Sequence, residues 1–295
     1  MTQAISSIAI ALLIVAAPLQ AQDLVQQARD AARRGQLDSA YALIQRAVEA
    51  QPDRAEAHFW LGQIAGSRAG AQGGLGALGL ARRSKEGYAR AVELEPDNLD
   101  YLEGLAGFLG QAPGIAGGDR DSAVVLAERV RARDAARGTF LLADVLRRGD
   151  DAQKARADSL VEGYAGTRTA DRLAQLRAAG FWAQTDRPER ALAVQERLAA
   201  RDTMDVVARY GVARNLVVLR RDARRALAIF RWVLTRPVPP PDGPSYVPAA
   251  AWWRLGQAYV QLGLSDSARA AYEEALRLLP QFAPARASLD SLLRR

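Results

Sequence analysis

The sequence predicts an all-α protein, a right-handed α-solenoid of about seven helical hairpins followed by a capping helix. Two observations indicate this fold. Apolar residues recur at i, i+3 and i+7, the spacing of one helix face. Similar patterns of small and aromatic residues return roughly every 34 residues, as in repeat proteins. The composition, 49% hydrophobic and 25% charged, suits a chain that buries a continuous core.

The clearest hairpin lies near the C-terminus, in AAAWWRLGQAYVQLGLSDSARAAYEEALRLLP. Trp252, Leu255 and Tyr259 share one face of its first helix. The residues Ala268, Tyr272 and Ala275 do the same on its second helix. Gly256 has no side chain, so the two helix axes are expected to approach closely there.

With Pro280 closing the hairpin, this spacing resembles the signature of the tetratricopeptide repeat. The resemblance implies hairpins that stack into a superhelix, with their first helices lining a concave groove. The same register extends over residues 22–295. It gives repeats at about 22–52, 55–96, 99–135, 136–168, 172–203, 206–238 and 249–281, and a capping helix at 283–295.

Residues 1–21 are predicted to be a secretory signal peptide. The apolar run from Ile8 to Ala17 would rise about 15 Å as a helix, too little to span a hydrocarbon core of roughly 30 Å. Pro18 ends the run, and Ala21 offers a small residue for cleavage. We therefore expect a periplasmic or secreted bacterial protein without stable membrane insertion. The alternative is an uncleaved N-terminus that anchors the chain to a membrane.

Two turns, at 66–83 and 111–121, are longer than the repeat requires. In the first, GLGALG matches a dinucleotide-binding spacing of glycines, but that motif needs a preceding buried strand. We expect instead that the second helix extends backward through this turn. In the second turn, GGDRD could suggest calcium, yet Asp119 or Asp121 more simply caps the helix predicted to begin at Ser122.

A third interruption, RPVPPPDGPSYVP, stops a helix near Thr235. Its prolines favour extended, polyproline-like backbone. A stiff spacer is the simpler interpretation, and a ligand for an aromatic groove on a partner is the alternative.

The residue types argue against catalysis. Cysteine is absent, His58 is the one histidine, and neither a G-x-S-x-G sequence nor a phosphate-binding loop occurs. We therefore predict no enzymatic activity, no cofactor and no metal. The net charge of +7 is spread among interleaved acids, so a solvated surface is expected and nucleic acid is not a predicted partner.

The resemblance implies a binding scaffold for a protein or peptide, here in the cell envelope. The lysines and asparagines with which some of these repeats hold a peptide's C-terminus are missing. The alternative ligand is an anionic polysaccharide or cell-wall polymer. Candidate groove residues occupy the fifth position of a first helix, with polar residues four positions on. The aromatic ones are Phe59, Phe140, Tyr210 and Trp253, and the polar ones are Gln63, Asp144, Arg214 and Gln257. Packing of these aromatics against neighbouring helices is the alternative to ligand contact.

Overall fold

A computed structural model describes residues 24–168, 171–239 and 246–294. Within these ranges all regular structure is helical, which confirms the predicted all-α class. The predicted signal peptide, residues 1–21, lies outside the described residues.

The described helices form seven successive hairpins and a last single helix, consistent with an α-solenoid. The first helices of the hairpins are α1 (24–33), α3 (Ala55–Gln72), α5 (Leu99–Gln111), α7 (Ala135–Leu146), α9 (Arg172–Gln184), α11 (Val206–Val218) and α13 (Pro248–Gln261). The second helices are α2 (Leu37–Ala50), α4 (Gly74–Leu94), α6 (Arg120–Arg133), α8 (Asp151–Thr167), α10 (Pro188–Arg201), α12 (Ala223–Leu234) and α14 (Ser265–Leu278). The final helix is α15 (Ala283–Leu293).

The chain divides between Ala157 and Asp158, within α8, into two compact units. The N-terminal unit buries Ile44 and Ile64 between its first hairpins. In the C-terminal unit Phe230, Leu255 and Tyr272 belong to one core cluster. Each unit therefore has its own apolar core.

Close contact between glycine and tyrosine joins the two helices of a hairpin. A Cβ atom on Gly256 would lie 2.4 Å from Cε1 of Tyr272, closer than Cβ atoms approach non-bonded neighbours in proteins. The equivalent atom on Gly62 would lie 2.8 Å from Cγ of Tyr88. The expected close approach at Gly256 is confirmed, and the group that fills the space is an aromatic ring.

The first long turn is largely helical. α3 continues to Gln72 and α4 already begins at Gly74, so the second helix does extend backward as expected. Gly73 breaks the run with a φ of 63°, a left-handed conformation that glycine adopts without strain. Because a helix precedes GLGALG, the strand that a dinucleotide site requires is not there.

The second long turn contains a short 3-10 helix, Gly114–Ala116, that contacts α4. Asp119 then caps α6 by accepting hydrogen bonds from the Ser122 backbone N–H at 3.1 Å and from its hydroxyl at 2.6 Å. These hydrogen bonds lower the pKa of Asp119. The capping prediction is confirmed for Asp119, and α6 begins at Arg120, two residues before the expected start.

Arginines on first helices pair with acids of a neighbouring hairpin. In the C-terminal unit Arg172 of α9 donates to both carboxylate oxygens of Asp205, at 2.6 and 2.8 Å. Asp205 also accepts from the backbone N–H of Ala208, which caps α11. In the N-terminal unit Arg137 of α7 donates to both oxygens of Glu103 on α5, at 2.7 and 2.9 Å. These bidentate pairs fix the spacing of consecutive first helices.

The proline-rich interruption follows α12, which ends at Leu234. Residues 240–245 lie outside the described ones. Tyr246, just after them, is buried, and its ring stacks on Tyr210 of α11 with centroids 4.8 Å apart. The end of this segment therefore packs onto the core of the C-terminal unit.

Candidate functional site

A cleft of about 570 Å³ opens in the C-terminal unit between α11, α13 and α15. Of these, α11 and α13 are first helices of hairpins, and α15 is the final helix that follows the last hairpin. The cleft is lined by Val217, Val218, Arg220, Arg254, Gln257, Val260, Gln261, Tyr272, Ala287, Ser288, Ser291 and Leu292. Aliphatic and polar side chains thus share one cavity, as is common in ligand-binding sites.

Arg254 is held in place at one wall of this cleft. Its guanidinium lies 4.1 Å from the ring centroid of Trp253, a cation–π arrangement. It also donates a hydrogen bond to Oε1 of Gln257 at 2.8 Å. Burial lowers the pKa of Arg254, and the nearby positive charge of Arg214 lowers it further. The side chain is therefore oriented and partly desolvated without a neutralising acid.

Among the residues that the structure describes, the cleft is lined by two cations, Arg220 and Arg254, and by no carboxylate. Among the described residues, neither these arginines nor Arg214 forms an ion pair. The N–H groups of Arg214 have a carbonyl partner instead, Ala183 O at 3.5 Å. The local electrostatic potential is therefore positive.

A second cleft, of about 660 Å³, lies in the N-terminal unit beside α1, α3 and α5. Both positively and negatively charged side chains line this cleft. Arg29 and Arg54 face Glu56, and Arg29 also lies over the Trp60 ring at 4.7 Å. Further acids, Asp53, Glu95 and Asp100, complete the lining. The two arginines of this cleft thus have acids beside them, and its lining holds four carboxylates, unlike that of the C-terminal cleft.

The four candidate aromatics are all half-buried. Phe59 lines the N-terminal cleft and packs against Tyr101 with centroids 5.0 Å apart. Tyr210 stacks on Tyr246, and burial raises its pKa. The indole N–H of Trp253 donates to Oγ of Ser288 at 2.9 Å. Phe140 lies on α7. Three of them therefore contact neighbouring helices or segments, and ligand contact by any of the four stays a prediction.

The candidate polar residues lie in different settings. Gln257 lines the C-terminal cleft, whereas Arg214 does not line it but lies close enough to Arg254 to lower its pKa. Gln63 is exposed on α3, and Asp144 pairs with Arg147 at 2.6 Å; neither lines either cleft. The structure thus gathers Tyr210, Arg214, Trp253 and Gln257 around α11 and α13 and leaves the other candidates elsewhere.

Sequence reasoning missed several cleft residues. Arg220 and Arg254 carry its charge, and Ser288 joins α15 to α13 through Trp253. The sequence provided part of the information needed to predict this charge, because Arg214 and Arg254 lie on the first helices of adjacent hairpins. Their proximity depends on how those helices pack, which the repeat register does not specify.

His58 contacts the carbonyl oxygen of Pro52 at 2.7 Å through its Nε2 atom. No group of three or more His, Asp or Glu side chains in the described ranges is placed to hold a metal ion. None of the described helices combines the length and apolar character needed to cross a bilayer.

Matches to known protein families indicate the class of protein to which this chain belongs. Two segments match models of the tetratricopeptide repeat family, residues 25–70 and 249–282. The curated proteins contain no match to this chain.

Two solved structures share the fold. One is a tetratricopeptide repeat protein from Parabacteroides merdae, with a TM-score of 0.58 and 14% identity, covering 92% of this chain and 98% of that one. The other is the human IFIT1 dimer with PPP-AAAA, with a TM-score of 0.56 and 17% identity, covering 87% of this chain and 58% of that one. At these identities the likeness shows the fold alone.

A chain of consecutive helical hairpins with clefts along its first helices is a helical-repeat protein. The matches at 25–70 and 249–282 support the narrower description, a tetratricopeptide repeat protein.

Proposed function

We propose that this protein is a non-enzymatic scaffold that binds a segment of a partner protein along its first helices, chiefly in the C-terminal cleft. The observation that carries this proposal is the cleft between α11, α13 and α15, where aliphatic walls adjoin oriented polar groups. Repeats of this kind generally present binding surfaces rather than catalytic groups. The cleft volume of about 570 Å³ lies within the range of ligand sites.

The aromatic side chains have a supporting role in this proposal. The ring of Trp253 orients the Arg254 guanidinium by a cation–π contact. Its indole N–H also donates a hydrogen bond to Ser288, which ties α15 to α13. The ring of Tyr210 stacks on Tyr246 and makes a T-shaped contact with Phe230, whose ring centroid lies 6.1 Å away. Rigid half-buried aromatics that orient an arginine are frequent at binding hot spots. The remaining predicted groove residues, including Phe59 and Phe140, would contact a partner that extends beyond this cleft.

A photo-crosslinking pair tests the binding surface. The photoreactive residue benzoylphenylalanine replaces Gln257, which lines the cleft, in one variant. In the control variant it replaces Arg269, which is exposed on α14. Expressed in the source organism, the first variant should give a discrete protein adduct and the second none. Adducts of equal yield from both positions, or none from position 257, would contradict the proposal.

We also propose that the scaffold acts in the cell envelope, after removal of residues 1–21. The support is the short apolar run that ends at Pro18, followed by Ala21. Intact-mass measurement of the native protein tests this, with Gln22 as the expected first residue. A chain that retains Met1, or that fractionates with the cytosol, would contradict the location and leave the binding proposal intact.

A further inference from the structure

We propose that the C-terminal cleft receives an acidic side chain, flanked by aliphatic residues, from an internal segment of a partner protein. This inference rests on the proposed scaffold function and specifies the chemistry of its partner. Three observations carry it: the unpaired cations, the fixed orientation of Arg254, and the position of the aliphatic walls.

Several arginines of the C-terminal unit face acids of the same unit. Arg172, Arg187 and Arg225 lie 2.6, 2.7 and 2.7 Å from the carboxylates of Asp205, Asp158 and Glu196. Arg220 and Arg254, within the described part of this unit, have no such partner, although they line a common cleft. A carboxylate supplied from outside would neutralise these cations and relieve the repulsion between Arg254 and Arg214.

The guanidinium of Arg254 is preoriented for such a group. Trp253 supports one face of it at 4.1 Å, and Gln257 holds one of its nitrogens at 2.8 Å. Little side-chain freedom is left to lose on binding, which favours affinity. The planar guanidinium offers parallel N–H groups that match a carboxylate. The lowered pKa of Arg254 agrees with a partly desolvated cation that lacks an anion.

The apolar lining indicates an internal segment. Arg254 and Gln257 lie on α13, which contacts α11 on one side and α15 on the other. Val217 and Val218 come from α11, and Ala287 and Leu292 from α15. Val218 is 41% exposed. An acid placed at Arg254 therefore shares the cleft with aliphatic side chains of both α11 and α15, which suits apolar residues before and after it in a chain.

Selection from a random peptide library displayed on phage tests the inference. Each displayed peptide is joined to the coat protein through its C-terminus, so only side-chain carboxylates are available. The bait is the chain from residue 22 onward. We expect enrichment of peptides with Asp or Glu between Leu, Ile or Val residues.

Affinities of a recovered peptide, labelled with fluorescein, are then measured by anisotropy. Arg254→Gln should weaken binding about tenfold or more, because a charge-assisted hydrogen bond is lost. Arg220→Gln, at an exposed position, should weaken it with no change in melting temperature. The matched control is Arg236→Gln, which removes an exposed arginine that lies over Trp232, outside the cleft. This control should leave the affinity unchanged.

Two outcomes would overturn the inference while leaving the scaffold function standing. One is enrichment of peptides without acids. The other is an acidic peptide whose affinity is unchanged by both Arg254→Gln and Arg220→Gln. A third outcome is that no peptide is enriched and that the acidic polysaccharide alginate binds saturably, with binding abolished by Arg254→Gln. That outcome would overturn both the inference and the scaffold function and would favour a polymer ligand. Failure to enrich any peptide without such binding would also overturn both.

Discussion

At the scale of single residues, glycine decides how closely the two helices of a hairpin pack. Gly256 lies against the ring of Tyr272 and Gly62 against that of Tyr88. The two tyrosine rings are almost completely buried. The absent side chain of glycine and the large ring of tyrosine are therefore complementary in volume, which protein cores require.

Gly256→Ala should destabilise the protein by about 1–3 kcal/mol, because the added methyl group overlaps the Tyr272 ring and forces the helices apart. Urea denaturation measures this. The matched control is Gly180→Ala in α9, where a Cβ atom meets nothing within 4 Å. Alanine should stabilise that helix by about 0.5–1 kcal/mol. Equal effects of the two substitutions would contradict the packing described here.

At the scale of helices, a few acids determine where helices begin and how they are spaced. Asp119 ends the second long turn and starts α6. Asp205 starts α11 and also binds Arg172 of α9. The sequence suggested capping at 119 or 121, because capping is a local property. It did not suggest the Arg172–Asp205 pair, because that contact joins residues far apart in the chain and depends on helix packing.

Asp119→Ala should lower the urea concentration at which half of the protein is unfolded, since the hydrogen bond to the Ser122 N–H at 3.1 Å is lost. Asp121→Ala is the control. Asp121 lies within the first turn of α6 and caps nothing, so its loss should cost less than about 0.5 kcal/mol. Comparable losses in urea denaturation would show that Asp119 is not the effective cap.

Asp205→Asn should destabilise the protein by about 1–2 kcal/mol at pH 7. Burial of Asp205 acts to raise its pKa, but hydrogen bonds from Arg172 and from Ala208 N–H outweigh burial, and the pKa is lowered. Its stabilising contribution is therefore complete above the usual value of 3.8 and is lost as pH falls through the lowered folded-state pKa. The gap in melting temperature between the native chain and Asp205→Asn should close in strong acid. A gap that persists there unchanged would contradict the ion pair.

At the scale of the whole molecule, the repeat pattern predicted the fold class but not the properties of its surfaces. Leu255, Gly256 and Tyr259 are spaced so that they share one face of a helix. They are buried because that face packs against the neighbouring helix α14. The C-terminal cleft depends instead on the packing of two consecutive first helices and the final helix. Gln257 was predicted from its register position, whereas Arg254 acquires its role from the nearby Arg214 and from the absence of acids around the cleft.

The two compact units differ in a way that bears on function. The cleft of the N-terminal unit pairs its arginines with its own acids, whereas the cleft of the C-terminal unit has arginines alone. The net charge of +7 conceals this difference, because the composition averages both units. The unpaired cations make the C-terminal cleft the better candidate for a partner with acidic side chains.

The most direct test of the central claim is protection of a single cysteine by a bound peptide. The chain contains no cysteine, so Gln257→Cys and Arg269→Cys each carry one unique thiol. A saturating amount of a peptide recovered by display selection should slow maleimide labelling at position 257 by about tenfold, since occupied clefts exclude reagent, and leave the rate at position 269 unchanged. Unchanged labelling at position 257, or equal protection at both positions, would contradict binding in the cleft between α11, α13 and α15.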